Sequence, residues 1–297
     1  MKPLLENLEK NRSLKDLCTF GIGGPAKYFL EVRSIEQMNH ALCLCAEQRI
    51  PFFILGKGSN LLFDDRGFDG LVIANRIDFI HQLDSHLFHV GAGYSFSLLG
   101  TKTARQGLSG LEFASGIPGS VGGAIYMNAG ANGGETCQTL MEVEYLTPEG
   151  HLLHLKREEI EFSYRSSSFQ KWQGAIVGAK FQLTSSSDAR EKQLKLFNYR
   201  KKTQPYDQKS AGCIFRNPTC HHAGALIEQQ GLKGARIGGA EVSTLHANFV
   251  INCEQATSHE VLALISLIRD TVHAQTGIRL ESEVKFVPYQ VSERLNE

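Results

Sequence analysis

Apolar residues in the first third of the chain recur in two alternating rhythms. "AKYFLEV" (26–32) has the two-residue period of a strand, and Ser34 then opens a helix with Gln37 placed for a capping box. Ile35, Met38, Leu42 and Cys45 return at helical spacing and are expected to form its buried face. "PFFIL" (51–55) and "GLVIA" (70–74) predict short apolar strands bounded by proline or glycine. From 86 the texture changes. "HLFHVGAG" alternates as a strand does, and "SFSLLGTKTARQG" predicts a helix ending at Gly107. "MEVEYLTPEGHLLHLKREEI" predicts a hairpin turning at Pro148–Gly150, and "AIVGAKFQL" (175–183) another strand. The polar patch "TSSSDARE" leads into a helix, so 184–200 is the best boundary by composition. The last third predicts a helix around "AGALIEQQG", a strand at "ANFVINC", a long helix in "SHEVLALISLIRDTVHAQTG" stopped by Gly277, and a final strand "LESEVKFV". Alternation in that strand puts Glu281, Glu283 and Lys285 on one face and Ser282, Val284 and Phe286 on the other.

A chain of 297 residues with 42% hydrophobic and 21% charged content is a soluble globular protein of about two or three domains. Lys plus Arg equals Asp plus Glu at 31 each, so no long-range field draws a polyanion. The one basic cluster, "YRKK" at 199–202, closes a charged helix and reads as a solvated end. No run approaches the ~20 apolar residues of a membrane span. The N-terminal "MKPLLENLEKNRS" has no apolar signal core. Seven scattered cysteines fit reduced thiols in a cytoplasm better than a disulfide scaffold. Nucleic acid and membrane are therefore not expected partners, and a cytoplasmic location is; a monomer is expected, although none of these features bears on oligomeric state.

The 29 glycines are clustered, and the clusters carry the chemistry. "GIGGPA" (21–26) matches a dinucleotide fingerprint by letter, but neither a preceding strand nor a following helix is predicted, so that reading fails. "ILGKGSNLLF" (54–63) places two glycines, a serine and an asparagine after an apolar strand. That pattern is either a plain turn between strands or a cradle of amides and hydroxyls for an anion. The tract "SGIPGSVGGAIYMNAGA" (115–131) favours the second, because an ordinary turn does not need so long a run of small residues. Cys213, in "KSAGCIFRNP", reads from its neighbours alone as a packed core thiol, half of a disulfide, a metal ligand or a proton donor. Cys220, His221 and His222 follow, but their spacing with Cys213 fits no standard zinc array, and no metal is expected.

The ordered motifs "TFGIGGPA", "ILGKGSN", "GLSGLEFASGIPGSVGGAIYMNAGA", "FSYRSSSF", "AGCIFRNP", "GLKGARIGGAEVSTLHANFVIN" and "LESEVKFV" resemble the UDP-N-acetylenolpyruvoylglucosamine reductase family from about Leu14 to Pro288. The resemblance implies an α+β chain: a vanillyl-alcohol-oxidase (PCMH-type) FAD-binding fold of two subdomains, 1–75 and 76–190, and an α+β substrate domain, 191–297. It implies non-covalent FAD, NADPH as reductant, and reduction of the enolpyruvyl ether of UDP-N-acetylglucosamine enolpyruvate to UDP-N-acetylmuramate for peptidoglycan. The FAD contacts it implies are Thr19, Gly23 and Gly24; Gly56, Lys57, Gly58, Ser59 and Asn60; and Ser115, Gly116, Pro118, Gly119, Ser120, Gly122, Gly123 and Asn128. For substrate it implies Tyr164, Lys202, Asn217, His246 and Asn248. The short connection between "FNYRKKTQP" and "AGC" resembles the shorter type, without an extra substrate-covering tyrosine loop.

The same resemblance supplies three reacting groups: Arg165, Cys213 and Glu283. Hydride reaching the vinyl CH2 carbon leaves negative charge on the carbon that bears the carboxylate. Arg165 suits that charge because its fixed fork of donors matches a carboxylate. Alternation alone does not separate Glu283 from Glu281; the E-V-K order of the motif does. An ionised carboxylate beside an enediolate repels it, so Glu283 is expected to be protonated or to act through a water. Family members commonly have serine where this chain has Cys213. A thiol with an ordinary pKa of ~8.5 stays about nine-tenths protonated near pH 7.5, so the exchange is chemically conservative. Two other readings remain: a flavin oxidase acting on a hydroxy acid, and a nucleotide-sugar or flavin-binding protein that no longer turns over.

Overall fold

The computed structural model describes residues 8–290, so the first seven residues of "MKPLLENLEKNRS" lie outside the described part. The chain forms two compact units. One holds Phe29–Lys57 and Gly70–Arg200; the other holds Lys10–Tyr28, Gly58–Asp69 and the chain from Lys201 onward. Residues 10–28 and 58–69, expected with the first FAD-binding subdomain, thus belong to the unit that carries Cys213 and Glu283.

In the first unit the helix Ile35–Gln48 begins as its sequence predicts, with Gln37 N donating to Ser34 Oγ at 3.3 Å. Gln37 Oε1 accepts from Arg33 N at 2.7 Å, one residue earlier than a capping box requires. Met38, Leu42 and Cys45 are buried as expected. The strands Phe52–Leu55 and Phe68–Asn75 pair in parallel, from Phe52 opposite Leu71 to Leu55 opposite Ala74. The remainder is built on a five-stranded antiparallel sheet in the spatial order Leu152–Lys156, Leu140–Leu146, Ala175–Gln182, Leu87–Gly91, Ile80–Gln82. The expected hairpin forms its first pair, closed by Gly150 N donating to Thr147 O at 3.0 Å. Alternation gives this sheet two unlike faces. Val143, Tyr145, Ala179, Phe181, Phe88 and Val90 face a core shared with the helices Phe96–Arg105 and Val121–Tyr126. Glu142 and Lys180 are cross-strand partners in the alternate set, and Lys180 Nζ lies 2.9 Å from Glu142 Oε1.

In the second unit a four-stranded sheet runs Ser210–Cys213, Phe249–Asn252, Ala240–Val242, Arg236–Ile237. The helices Ala223–Gln229 and Ser258–Thr276 share its core through Ile227, Val261, Leu264, Ile265 and Ile268, joined there by Phe20, Ile22, Leu62 and Phe215. The long helix starts at a capping box between Thr257 and Glu260 and stops at Gly277, whose φ is 72°. A short strand, Leu61–Phe63, pairs in parallel with Lys285–Val287 and so places Asn60 at the start of that strand. Only Lys285–Val287 of the expected "LESEVKFV" strand is regular, because Ser282 makes a separate bridge to Phe215. Residues 21–26 open a strand, Pro25–Val32, and no helix follows the glycines. Gly23 and Gly24 are glycine for packing: an added Cβ would lie 2.7 Å from Phe63 Cβ at Gly23 and 2.2 Å from Asp65 O at Gly24.

No helix among the described residues is long and apolar enough to cross a membrane. All seven cysteines are free thiols.

Candidate active site

Parallel pairing of Phe52–Leu55 with Phe68–Asn75 brings both strand ends to one edge. Gly56 leaves the first and Arg76 the second, and Arg76 Nη1 donates to Gly56 O at 2.6 Å. Gly56 also touches the second glycine tract, since a Cβ there would stand 2.5 Å from Ser120 Oγ. The tract is anchored from behind by the helix Phe96–Arg105. Gly116, at φ 82°, donates its amide to Ser97 Oγ at 2.7 Å, and Phe96 N donates to Gly119 O at 3.1 Å. Ser115 is buried, with its hydroxyl 3.1 Å from that of Thr101. Gly122 N donates to Ala92 O at 2.8 Å. Ser120 Oγ accepts from Gly123 N at 3.3 Å, while Gly123 and Pro118 are exposed. Exposed main chain at Gly123 and the close approach of Gly56 to Ser120, with Lys57 following Gly56 and Arg76 bonded to it, fit the pyrophosphate of a flavin dinucleotide.

Gly58, Ser59 and Asn60 continue the loop into the second unit. Gly58 has φ 64°, and a Cβ there would lie 2.4 Å from Leu17 O and 2.7 Å from Cys18 Cα. Thr19 ties this loop to the Cys213 strand: its amide donates to Gly58 O at 3.1 Å and its hydroxyl to Ser210 O at 2.7 Å. Gly58→Ala is therefore expected to cost about 1–3 kcal/mol through its positive φ alone. The check is a lower melting temperature together with flavin lost on gel filtration; unchanged melting and retention would contradict it.

Arg165 sits at the turn of a hairpin, Phe162–Ser163 with Ser166–Ser167, and its φ is 56°. Its guanidinium lies 5.0 Å from the ring centroid of Tyr164, which is exposed. Gln170 Nε2 donates to Arg165 O at 3.1 Å and to Tyr126 O at 3.0 Å, fixing the turn to the end of the Gly-rich helix. Asn128 is fully buried, and its amide is engaged internally. Nδ2 donates to Ser163 O and to Glu135 Oε2, both at 3.0 Å, and Oδ1 accepts from Cys137 N at 3.1 Å.

Cys213 and Glu283 meet through main chain. Cys213 is half-buried and ends the strand Ser210–Cys213 opposite Phe249. Ile214, the next residue, accepts from Glu283 N at 2.7 Å. Asn60 grips the same segment: its Nδ2 donates to Glu283 O at 3.1 Å, and its own carbonyl accepts from Lys285 N at 3.0 Å. The thiol-bearing residue, the carboxyl-bearing residue and Asn60 are thus parts of one hydrogen-bonded strip.

The C-terminal domain of UDP-N-acetylenolpyruvoylglucosamine reductase, as a family model, matches residues 204–287, and an FAD binding domain model matches residues 26–156. A UDP-N-acetylenolpyruvoylglucosamine reductase of Protochlamydia amoebophila is 63% identical over 285 residues, covering 96% of this chain and 95% of the relative. The chain belongs to the UDP-N-acetylenolpyruvoylglucosamine reductase family. A reductase of Chlamydia pneumoniae is 49% identical over 272 residues, 92% of this chain and 89% of its own. The crystal structure of the Thermus caldophilus UDP-N-acetylenolpyruvylglucosamine reductase superposes with a TM-score of 0.80 at 36% identity, covering 95% of this chain and 99% of that one. The protein is accordingly an α+β oxidoreductase of peptidoglycan synthesis that carries an FAD-binding domain.

In this reductase the residues expected at the substrate differ in how far they are committed to the fold. Lys202 is exposed in the last turn of the helix Ala189–Thr203. Asn217 is exposed, and its Oδ1 accepts from Ala223 N at 3.0 Å, at the start of the helix Ala223–Gln229. His246 is half-buried, packs edge-on against Phe249 with centroids 4.9 Å apart, and through Nδ1 accepts from Asn248 N at 3.2 Å. Asn248 is buried, and its amide bonds to the main chain of Phe215. Arg76 and Gln170 are the residues that sequence reading missed. Arg76 was findable: two parallel strands deliver the residues after them to one edge, where α/β proteins gather their ligand loops.

Burial holds the His246 imidazole below its ordinary pKa, because charging it there sacrifices hydration. Its unfolded form binds a proton more readily, so this contribution to stability is present above the unfolded value of ~6.5 and is lost as pH falls below it. Protonation also removes the acceptor for Asn248 N. The melting temperature is expected to fall between pH 7 and pH 5, with a shallower slope in His246→Gln; equal slopes would contradict this origin.

Proposed function

We propose that this chain reduces the enolpyruvyl group of UDP-N-acetylglucosamine enolpyruvate to the lactyl ether, with NADPH as reductant, Cys213 as proton donor, and Arg165 and Glu283 stabilising the developing charge. The glycine loops at Gly56–Asn60 and Gly116–Gly123 would hold FAD, whose redox chemistry would carry hydride from NADPH to the vinyl CH2 carbon. The protein has two remaining tasks. Arg165 presents a guanidinium to the substrate carboxylate as the neighbouring carbon gains charge, a form of preorganised electrostatic stabilisation. The Cys213 thiol gives its proton to that carbon, and solvent restores the proton after product leaves. Hydride and proton together convert the vinyl carbons to CH3 and CH, and NADPH becomes NADP+.

One observation carries this reading: Ile214 O accepts from Glu283 N at 2.7 Å, which joins the residue beside Cys213 to Glu283 itself. A proton donor and a second polar group for the same carboxylated carbon need that adjacency. The hydroxyl of the usual serine and the thiol here offer one proton each, so the departure at Cys213 preserves the step. The "GKGSN" loop, Lys57 and Arg76 bind and orient the dinucleotide, and Asn60 links that loop to Glu283. This reading has the enzyme working as a cytoplasmic monomer on a small UDP-sugar, with neither nucleic acid nor membrane as partner.

Anaerobic addition of NADPH to the purified holoenzyme is expected to bleach the flavin absorbance, and the enolpyruvyl substrate is expected to restore it. In D2O the product should carry one deuterium at the lactyl methine carbon, delivered from the exchanged thiol. A flavin bleached by hydroxy acids, indifferent to NADPH and rapidly reoxidised by oxygen would instead support an oxidase. Protein that purifies without flavin would exclude both.

A further inference from the structure

We propose that Asn248 is a positioning residue for the protonation step: it holds Ile214 and Phe215 so that the neighbouring Cys213 thiol is fixed relative to Glu283. The inference rests on the proton-donor role of Cys213 given above.

Ile214 and Phe215 follow Cys213 directly and are buried, each at 1% exposure, so their peptide groups need partners inside the protein. Asn248 supplies three of the four. Ile214 N donates to Asn248 O at 2.8 Å, Phe215 N donates to Asn248 Oδ1 at 2.9 Å, and Asn248 Nδ2 donates to Phe215 O at 2.8 Å. The fourth group, Ile214 O, accepts from Glu283 N at 2.7 Å. The dipeptide therefore lies between Asn248 on one side and the main chain of Glu283 on the other. Any slack at Asn248 changes the spacing between the thiol and Glu283.

The other side of Cys213 explains why such a clamp is needed. Between Ser210, opposite Ile251, and Cys213, opposite Phe249, the strand carries one residue more than its partner, and Gly212 takes φ 78°. An extra residue of this kind bends a strand and re-aims the side chains next to it. It also loosens the pairing register, which side chains beyond the bulge must then restore. Asn248 does this with a primary amide that donates and accepts at once, like a peptide group. Aspartate is the same shape but cannot donate, serine is too short to span both groups, and glutamine carries an extra carbon into a closed core.

Asn248 is itself held in place. Its main-chain amide donates to His246 Nδ1 at 3.2 Å, and it is 3% exposed. This burial and the use of both ends of its amide on Phe215 give it a role in placing the acid.

The test uses holoenzyme carrying Asn248→Asp, which keeps shape and loses the donor, and Asn248→Ser, which relieves the charge and leaves room for water. Flavin reduction by NADPH and reoxidation by the enolpyruvyl substrate are followed separately under anaerobic stopped flow. The configuration of the lactyl carbon is then determined on product formed in D2O. Misplacing a reacting group by about 1 Å costs on the order of 10²-fold. Reoxidation is accordingly expected to slow by about that factor in both variants, flavin reduction to keep its wild-type rate, and the product to contain both configurations. Loss of facial selectivity is the readout that weakened folding alone would not produce. Flavin-loaded Asn248→Asp or Asn248→Ser enzyme that reoxidises at the wild-type rate with a single configuration would overturn the proposal. Cys213→Ala, run in parallel, separates the two ideas. If it is impaired while both Asn248 variants are normal, the positioning role alone fails. If it too is normal and stereospecific, the proton-donor reading fails and takes this inference with it.

Discussion

Cys213→Ala holoenzyme is expected to accept hydride from NADPH at the wild-type rate and then to stall. Reoxidation by the enolpyruvyl substrate should slow by about 10²–10⁴-fold, the range a general acid contributes. Cys213→Ser should retain that half-reaction, because hydroxyl and thiol occupy the same place and each carries one proton. The contrast isolates chemistry from folding. Cys213 is half-buried at a strand end, and alanine there removes one sulfur atom without disturbing the main-chain bonds of Ile214 and Phe215. An alanine variant turning over normally would remove the thiol from the mechanism. A serine variant as slow as alanine would show that the slot tolerates only sulfur.

The second large effect is expected at Arg165. Removing a preorganised donor that meets developing charge costs about 10²–10³-fold in turnover, so Arg165→Ala should lose that much in the enolpyruvyl half-reaction alone. Arg165→Lys should recover only part, since a point charge cannot reproduce a planar fork. The backbone offers a control. Arg165 has φ 56°, which glycine adopts without penalty, and the turn is secured by Gln170 donating to Arg165 O at 3.1 Å. Arg165→Gly should therefore melt no lower than the wild type while losing turnover as alanine does. A stable glycine variant with normal reoxidation would place Arg165 outside the reaction.

The parts of the fold that were legible in the sequence are those in which one local rule decides. The helix Ser258–Thr276 has its capping box and its terminal glycine, and the hairpin of Leu140–Leu146 with Leu152–Lys156 has its turn residues. The "LESEVKFV" strand was only partly legible. Alternation predicts a full strand, but Ser282 pairs with Phe215, more than sixty residues away in sequence, and regular pairing begins only at Lys285. Residues 10–28 and 58–69 join the C-terminal unit through contacts such as Gly23 against Phe63 and Thr19 with Ser210, which no local pattern encodes.

The site shows the same limit from the opposite direction. Motif order supplied Arg165, Cys213 and Glu283, and it grouped four asparagines with the ligands: Asn60, Asn128, Asn217 and Asn248, of which Asn217 accepts from Ala223 N. The fold shows what local pattern does not: the amide of Asn60 bonds to Glu283 O, that of Asn128 to Ser163 O in the Arg165 hairpin, and that of Asn248 to Phe215. Each meets a stretch of main chain that carries a proposed reacting group. A buried amide that serves two peptide groups and an amide that serves a ligand have the same letter, and only the fold distinguishes them.

The claim at the centre of this account is that a thiol, in place of the usual hydroxyl, delivers the proton. It is tested most directly by the pH dependence of single-turnover reoxidation in wild type and Cys213→Ser. An ordinary thiol ionises near pH ~8.5 and an alcohol far above it. The wild-type rate is therefore expected to fall on an alkaline limb that is absent from the serine variant, while flavin reduction by NADPH shows no difference between the two. Superimposable profiles for reoxidation would contradict the account.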